Sequence, residues 1–275
     1  MRLPPGNTAP SGYLSARADV EGRIESLREA RAGAEAAGEA VPLCEVEGFT
    51  LEVVPHGLNS HPVAMRCAEL TVCVTDRRNR PPAAIQLGSA FIQTACVDEA
   101  WRTAVRVASS VVGVVLRDIK VSRIDLFADI ADWRLRRSDW DGFITHAKVR
   151  AIGQPAPGEV ETFQVGKSPR MMRLYRKDIE IRDKGGFAHV FWQGHEGAVV
   201  RVEVQVSSDE LRKYGFASVD ETLASCGDIW RHATTKFLEV RVPGPGPREA
   251  WSLTPEWELV QRVGFESFRH SGVVP

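Results

Sequence analysis

Three stretches of this sequence alternate polar and apolar residues with a period of two, and that alternation limits what the chain can become. They are RIDLFAD (123–129), MMRLYRK (171–177) and RVEVQV (201–206). Only an extended strand sends successive side chains to opposite faces, so each stretch predicts a half-buried β-strand. In the first, Ile124, Leu126 and Ala128 oppose Arg123, Asp125, Phe127 and Asp129. In the second, Met172 and Leu174 oppose Arg173, Tyr175 and Lys177. In the third, Val202, Val204 and Val206 oppose Arg201, Glu203 and Gln205. If these strands share a sheet with their polar faces aligned, Asp125, Asp129 and Glu203 gather near Tyr175.

The remaining pattern predicts an α+β fold, with antiparallel sheets and helices packed on one face. β-branched runs between turn signals read as strands over 49–54, 67–74 and 82–87. In CAELTVCV (67–74), alternation would put Cys67, Glu69, Thr71 and Cys73 on one face. VETFQVG (160–166) and MMRLYRK flank GKSPR, which reads as a hairpin turn. Apolar residues at spacings of three and four predict a helix over 98–117, with Trp101 on its core face. A second helix is expected over 138–149, capped by Ser138. Ser207 with Glu210 should open a short helix that ends at Tyr214-Gly215, with Tyr214 as a packing residue. Ser218 with Glu221 should open a longer one, to about 237.

Residues 1–16 read as a loose tail and 17–40 as a weakly packed helix with a thin apolar face. The Pro-Gly run VPGPGP (242–247) forbids helix and ladder alike, and Thr254-Pro255 marks a later helix start. The expected organisation is an acidic N-terminal segment over 1–44, an α+β catalytic region over 45–241 with a motif core at 120–215, and a linker with a C-terminal appendage over 242–275.

Formal net charge is −1, so the chain is not a globally basic polyanion binder. The charge is uneven, however. Residues 17–52 hold four Arg and nine Asp or Glu, whereas 166–177 hold five Arg or Lys and no acid. A local basic strip can hold a phosphate backbone in a near-neutral protein. The strip surrounds Tyr175, one of three tyrosines. Five scattered cysteines without a CxxC pair suit reduced thiols in the cytoplasm. MRLPPGNTAPSG carries no apolar run of the secretory kind, and VASSVVGVVL (107–116) is too short to span a bilayer. GxxxxGK[ST] is absent, so nucleotide hydrolysis is not indicated.

Clustered carboxylates bind hard divalent cations through oxygen, and such a cation orients a phosphoryl group for in-line attack. A tyrosine beside them can be the covalent nucleophile. A free phenol ionises near pH ~10, so making the phenolate at neutral pH costs about 4 kcal/mol. Cations near Tyr175 are expected to lower that cost. The plainer alternative is that these arginines and acids are cross-strand ion pairs only. His189 and His195 do not form a His-hydrophobe-His metal motif and read as structural or exposed.

RIDLFADI, the GKSPR turn, RLYRKDIE and RVEVQV, in that order, resemble the Rep_trans or replication-initiation-factor family of rolling-circle initiators in plasmids and filamentous phages. The likeness covers about 85–215. It implies an enzyme that nicks one strand at an origin and keeps the 5′ phosphate on a tyrosine. By that resemblance Tyr175 stands at the nucleophile's place and Lys177 at the family's lysine. Asp125, Asp129 and Glu203 stand at places for Mg²⁺ or Mn²⁺, and Lys167, Arg170, Arg173 and Arg201 would hold the DNA backbone. The implied partner is origin DNA, single-stranded or extruded as a hairpin. A host helicase and a second copy of the chain are the further partners, and no membrane is involved. The rival functions are a non-catalytic origin-binding regulator and an interaction module. The acidic N-terminal segment and the Pro-Gly linker depart from the family pattern.

Overall fold

The computed structural model describes residues 11–265 apart from 59, 78–79, 114, 117, 154–159, 186–187, 193 and 217, and the side chains of 11–21, 184 and 188–189 fall outside it as well. The chain divides between residues 117 and 118 into two compact units. The expected boundaries, at 44/45 and 241/242, do not coincide with that division.

In the first unit, helix α1 (Ser11–Ala37) precedes five strands: β1 (Val41–Val46), β2 (Phe49–Val53), β3 (Val63–Arg66), β4 (Leu70–Val74) and β5 (Ala83–Leu87). They form an antiparallel meander in sequence order. Helices α2 (Ser89–Thr94) and α3 (Val97–Val112) follow. Leu51, Val53, Val63, Met65, Leu70, Val72 and Val74 point into one core, which α3 closes with Ala100, Ala104, Val107, Ala108 and Val111. The N-terminal helix is not weakly packed, because Ile24, Leu27 and Ala34 are buried in the same core. It also starts at Ser11, inside the expected tail; residues 1–10 lie outside the described set.

Two local readings change here. The helix expected to run to 117 stops at Val112, because Gly113 takes φ 80° and donates to Ser109 O. A glycine in the left-handed region ends a helix even where the apolar spacing continues, and Val115 beyond it is 74% exposed. The single strand expected over 67–74 is a turn followed by β4. Cys67 N donates to Leu70 O at 3.0 Å, so Cys67 and Glu69 share no strand face with Thr71 and Cys73.

The second unit is built on β6 (Arg123–Ala131), β7 (Phe143–Ile144), β8 (Arg150–Gly153), β9 (Thr162–Lys167), β10 (Arg170–Arg176), β11 (Val199–Ser207) and β12 (Glu239–Val240). The main sheet has the order β6-β11-β10-β9-β8, all antiparallel, and β7 pairs with β12. Its helices are α4 (Lys177–Lys184), α5 (Ser208–Lys213), α6 (Val219–Ala224), α7 (Cys226–His232) and α8 (Pro255–Arg262). The three alternating segments are therefore adjacent strands. Leu126, Ile130, Phe163, Val165, Met172, Leu174, Val202 and Val204 fill the apolar side, against Leu211 of α5, Ile229 and Trp230 of α7, and Trp257 and Val260 of α8. Fully burying each of these large side chains stabilises the fold by about 1.5–3 kcal/mol.

The helix expected at 138–149 is a short 3-10 turn, Arg137–Gly142, that runs into β7. A Cβ on Gly142 would stand 2.0 Å from Arg241 O, and Arg241 N donates to Gly142 O. Pairing with the β12 segment thus overrides the helical spacing. The single helix expected from Ser218 is capped as read, with Ser218 Oγ accepting from Glu221 N, but α6 and α7 divide it at Ser225. The expected C-terminal appendage is part of the core. Thr254 caps α8, Trp257 and Val260 have no exposed surface, and Trp257 Nε1 donates to Thr234 O at 3.0 Å. Among the described residues, no helix is long and apolar enough to cross a membrane.

Candidate active site

The strand register fixes which side chains meet. Tyr175 lies directly across from Arg201, which lies directly across from Asp129. Arg173 lies across from Glu203, and Asp125 across from Gln205. On the far side of β10, Thr162 and Gln164 face Tyr175 and Arg173. Directly opposed residues share a sheet face, so all of these project from the side away from the apolar core.

Two hydrogen bonds define the centre. The Tyr175 phenol donates to Glu203 Oε2 at 3.1 Å. Arg173 Nη2 donates to the other oxygen, Oε1. Burial pushes the phenol well above the usual tyrosine range, the Glu203 charge adds to that shift, and Arg201 opposes it. This corrects the expectation that the surrounding cations lower its pKa. Each of those cations has its own carboxylate: Arg173 has Glu203, Arg201 has Asp129, and Lys177 Nζ reaches Glu180 Oε2 at 2.5 Å. Their charges are largely cancelled before they act on the phenol.

Lys177 was expected on the strand, but β10 ends at Arg176 and Lys177 opens α4. Its ammonium still sits 5.8 Å from the Tyr175 ring centroid. Lys167 and Arg170 do not join the site. Five residues of strand separate Arg170 from Tyr175, about 17 Å at ~3.4 Å per residue. Arg170 pairs with Val206 and Lys167, so it lies on the core-facing side. There it donates to Tyr214 Oη at 3.0 Å and stacks over Phe237. The Tyr214 ring packs as expected, 5.9 Å from that of Phe216, while its hydroxyl joins Arg170 and Glu210 in a polar cluster. Lys167 is exposed at the hairpin tip.

Arg201 is no open phosphate contact. It is 4% exposed, forked onto Asp129 (Nε–Oδ1 2.6 Å, Nη2–Oδ2 2.7 Å), and lies 3.9 Å from the Phe127 ring centroid. Asp129 Oδ2 also accepts from Trp192 Nε1 at 3.0 Å. Trp192 was missed, since it lies in a short 3-10 turn (Ala188–Trp192) whose sequence carries no strand or helix period. Of the two histidines, the His189 side chain lies outside the described residues. His195 Nε2 stands 3.6 Å from Asp132 Oδ1.

The expected ligand trio does not assemble, and among the described residues no group of three His, Cys, Asp or Glu is arranged to hold a metal. Asp129 has three of its roughly four lone-pair sites filled by Arg201 and Trp192. Asp125 and Glu203 do fit a hard cation as a pair. They are diagonal neighbours on adjacent strands, about 7–8 Å apart at Cα. Asp125 Oδ2 holds Arg123 at 2.8 Å, while Oδ1 is buried with no hydrogen-bond partner. Burial raises the Asp125 pKa, Arg123 opposes the shift, and the Glu203 charge adds to it. Mg²⁺ is commonly held by one or two carboxylates, with substrate phosphate completing the shell.

No family model and no curated protein matches the chain. Among solved structures, a rolling circle replication initiator protein from Geobacillus stearothermophilus matches over 88% of this chain and 89% of its own, with 14% identity and a TM-score of 0.46.

Proposed function

We propose that the protein is a DNA strand transferase that initiates rolling-circle replication, with Tyr175 as its nucleophile. The observation that supports this most directly is the Tyr175 phenol hydrogen-bonded to Glu203, beside Arg173 and the unsatisfied Asp125 oxygen on one polar strand face. The order of the motifs that contribute those residues, and its resemblance to the replication-initiation-factor family, supports the same reading.

In this mechanism Glu203 Oε2 receives the phenolic proton as Tyr175 Oη attacks the scissile phosphorus. The Tyr175 O–P bond forms and the P–O3′ bond breaks, so the strand leaves with a 3′-hydroxyl once its oxygen takes a proton from water. The 5′ phosphate stays on Tyr175, and the reverse transesterification rejoins the strand. Arg173, whose side chain is 37% exposed, turns from Glu203 to the incoming phosphate. Asp125 and Glu203 would hold a Mg²⁺ or Mn²⁺, which would supply Lewis-acid polarisation of that phosphate. The released 3′ end requires strand separation for synthesis, which makes a host helicase the natural partner.

The test is covalent capture. Protein is incubated with a randomised single-stranded oligonucleotide library and Mn²⁺, then run on a denaturing gel. Wild type should give a protein–DNA adduct, and Tyr175→Phe should give none. An undiminished adduct in the variant would remove Tyr175 from the mechanism. One observation favours a second reading, in which this face is a structural ion-pair network: each cation around Tyr175 already has a carboxylate. That reading predicts no adduct, and a loss of stability in Glu203→Gln.

A further inference from the structure

Trp192 borders a hollow of about 340 Å³ in the second unit, outside the cluster around Tyr175. Ile181 and Arg182 of α4 form one wall, and Trp192 and His195 form the other. The two rings flank a tight turn, in which His195 N donates to Trp192 O at 2.9 Å and Gly194 takes φ 81°. The indole N–H is already satisfied by Asp129 Oδ2, and Asp129 is forked by the buried Arg201. That edge of the ring is therefore anchored. The His195 ring is packed against Gly197, where a Cβ would stand 2.6 Å from Nε2. Trp133, Trp230 and Trp257 are buried in the core, yet Trp192 is only half-buried. A large aromatic ring beside a hollow, with its one polar atom already bonded, offers a flat apolar surface to a flat ligand. The acids lining the hollow, Asp178 and Glu196, outnumber Arg182. The lining thus disfavours a phosphate and suits an uncharged ring.

We infer that this hollow takes an unpaired nucleobase, stacked on Trp192, from the strand whose phosphate Tyr175 attacks. The inference rests on the proposed strand-transferase role, and it names where that substrate is gripped. Two paths tie the hollow to the nucleophile. Along the chain, Asp178 on its rim is three residues past Tyr175, a reach of at most about 11 Å. Across the sheet, Trp192 holds Asp129, which lies in the same row as Arg201 and Tyr175. A strand rising ~3.4 Å per stacked nucleotide covers that reach within about three nucleotides. The volume lies at the lower end of the ~300–1,000 Å³ of ligand pockets, which fits a small ring system. Only a single-stranded or flipped-out base can present its ring face. Stacking requires no particular base, because every base has a π face. The hollow is therefore a grip on single-stranded DNA that complements the phosphate contact proposed for Arg173.

The test uses the full chain carrying Tyr175→Phe, so that binding is read without covalent capture. Its affinity is measured by fluorescence anisotropy for two labelled single-stranded oligonucleotides of equal length. One has mixed sequence, and the other is abasic, with the same phosphates and no bases. The base-bearing strand should bind more tightly. Adding Trp192→Ala should weaken that strand by roughly 5- to 150-fold, the range for losing one base–aromatic stack, and leave the abasic strand unchanged. Trp192→Phe keeps a ring and should lose less. Ile181→Trp fills the hollow from the α4 side without touching the Trp192–Asp129 hydrogen bond, and it should also weaken only the base-bearing strand. Tryptophan fluorescence gives a direct signature. The base-bearing oligonucleotide should quench the parent protein more than it quenches the Trp192→Phe variant. If Trp192→Ala does not fold, the Ile181→Trp affinities and the quenching decide. Equal losses for both strands, unchanged affinity in the variants, or equal quenching with and without the indole would overturn the inference. So would a parent protein that binds neither strand. Adduct formation by the wild type is a separate measurement. Adducts without Trp192-dependent base discrimination would end this inference and leave the nicking reading in place. Trp192-dependent discrimination without adducts would do the reverse.

Discussion

Glu203 accepts the Tyr175 phenolic proton on one oxygen at 3.1 Å and holds Arg173 with the other. One carboxylate thus holds the Tyr175 phenol in its neutral form and occupies Arg173, the cation proposed to meet the phosphate. A raised phenol pKa means less phenolate at any given pH. If attack needs the phenolate, the rate should follow its fraction, rising about tenfold per pH unit through neutrality and into the alkaline range. The check is the slope of log initial rate of adduct formation against pH. A plateau near neutral pH would instead show that the proton passes to Glu203 during attack, with no prior ionisation of the phenol.

Acid stability should depend on a different carboxylate. Asp178 accepts both Arg176 guanidinium nitrogens, at 2.9 and 2.5 Å, and the Val199 N–H at 3.2 Å. Although burial opposes it, the fork from Arg176 and the Val199 N–H hold its pKa below the ordinary value. A carboxylate with a depressed folded pKa contributes stability that is complete above the unfolded value, near ~3.9, and is lost as pH falls through the folded one. Asp178→Asn should therefore lower stability at neutral pH by about 1–3 kcal/mol. It should also flatten the fall in Tm expected of the wild type below about pH 4. An identical acid limb in both proteins would exclude Asp178 as a contributor.

The sheet was legible because alternation is a local property. Two-residue periodicity over 123–129 and 201–206 sorts Asp125, Glu203 and their neighbours onto a face whatever the rest of the chain does. The same parity places Arg170 with Met172 and Leu174, on the face opposite Tyr175, but its place in the basic strip drew it into the site. Lys177 was put on the strand by extending the period one residue past Arg176, where the chain turns into α4. The engagement of Asp129 by Arg201 and Trp192 was not legible at all. It depends on a contact across 63 residues, between Asp129 and an indole in an aperiodic segment. In unit one, β3 has only four residues, too few to show a period, and β1 (VPLCEV) does not alternate and carries a register shift between Pro42 and Cys44; they are strands because β2 pairs with both and β4 with β3.

The hairpin joining β9 to β10 depends on Gly166. Its φ is +79°, and a Cβ there would stand 2.6 Å from Arg170 O and 2.7 Å from Phe237 Cζ. One of those neighbours is backbone in a paired strand, so it cannot yield as a flexible side chain would. Gly166→Ala combines left-handed strain with overpacking and should cost about 2–4 kcal/mol. Chemical denaturation measures this directly. A loss under about half a kcal/mol would mean that the hairpin shifts to accept the methyl group.

Asp125 provides a test of the paired-carboxylate cation site that needs no DNA. Its Oδ1 is buried without a hydrogen-bond partner, and its pKa lies above the ordinary carboxylate value. For an acid, a raised folded pKa means that the charged form is disfavoured by folding, so the group destabilises at neutral pH and that penalty fades as pH falls. Asp125→Asn removes the penalty, and the lost partner, Arg123, is half exposed and rehydrates easily. Without divalent ions the variant should match or exceed the wild type in Tm. With Mn²⁺ the order should reverse, because a cation that binds only the folded state stabilises it in proportion to the logarithm of its concentration. The wild-type Tm should therefore climb with Mn²⁺ and the variant's should stay flat. Equal Mn²⁺ dependence in both would place the cation elsewhere. A large loss of stability in metal-free Asp125→Asn would make Asp125 a structural partner of Arg123 instead of a ligand.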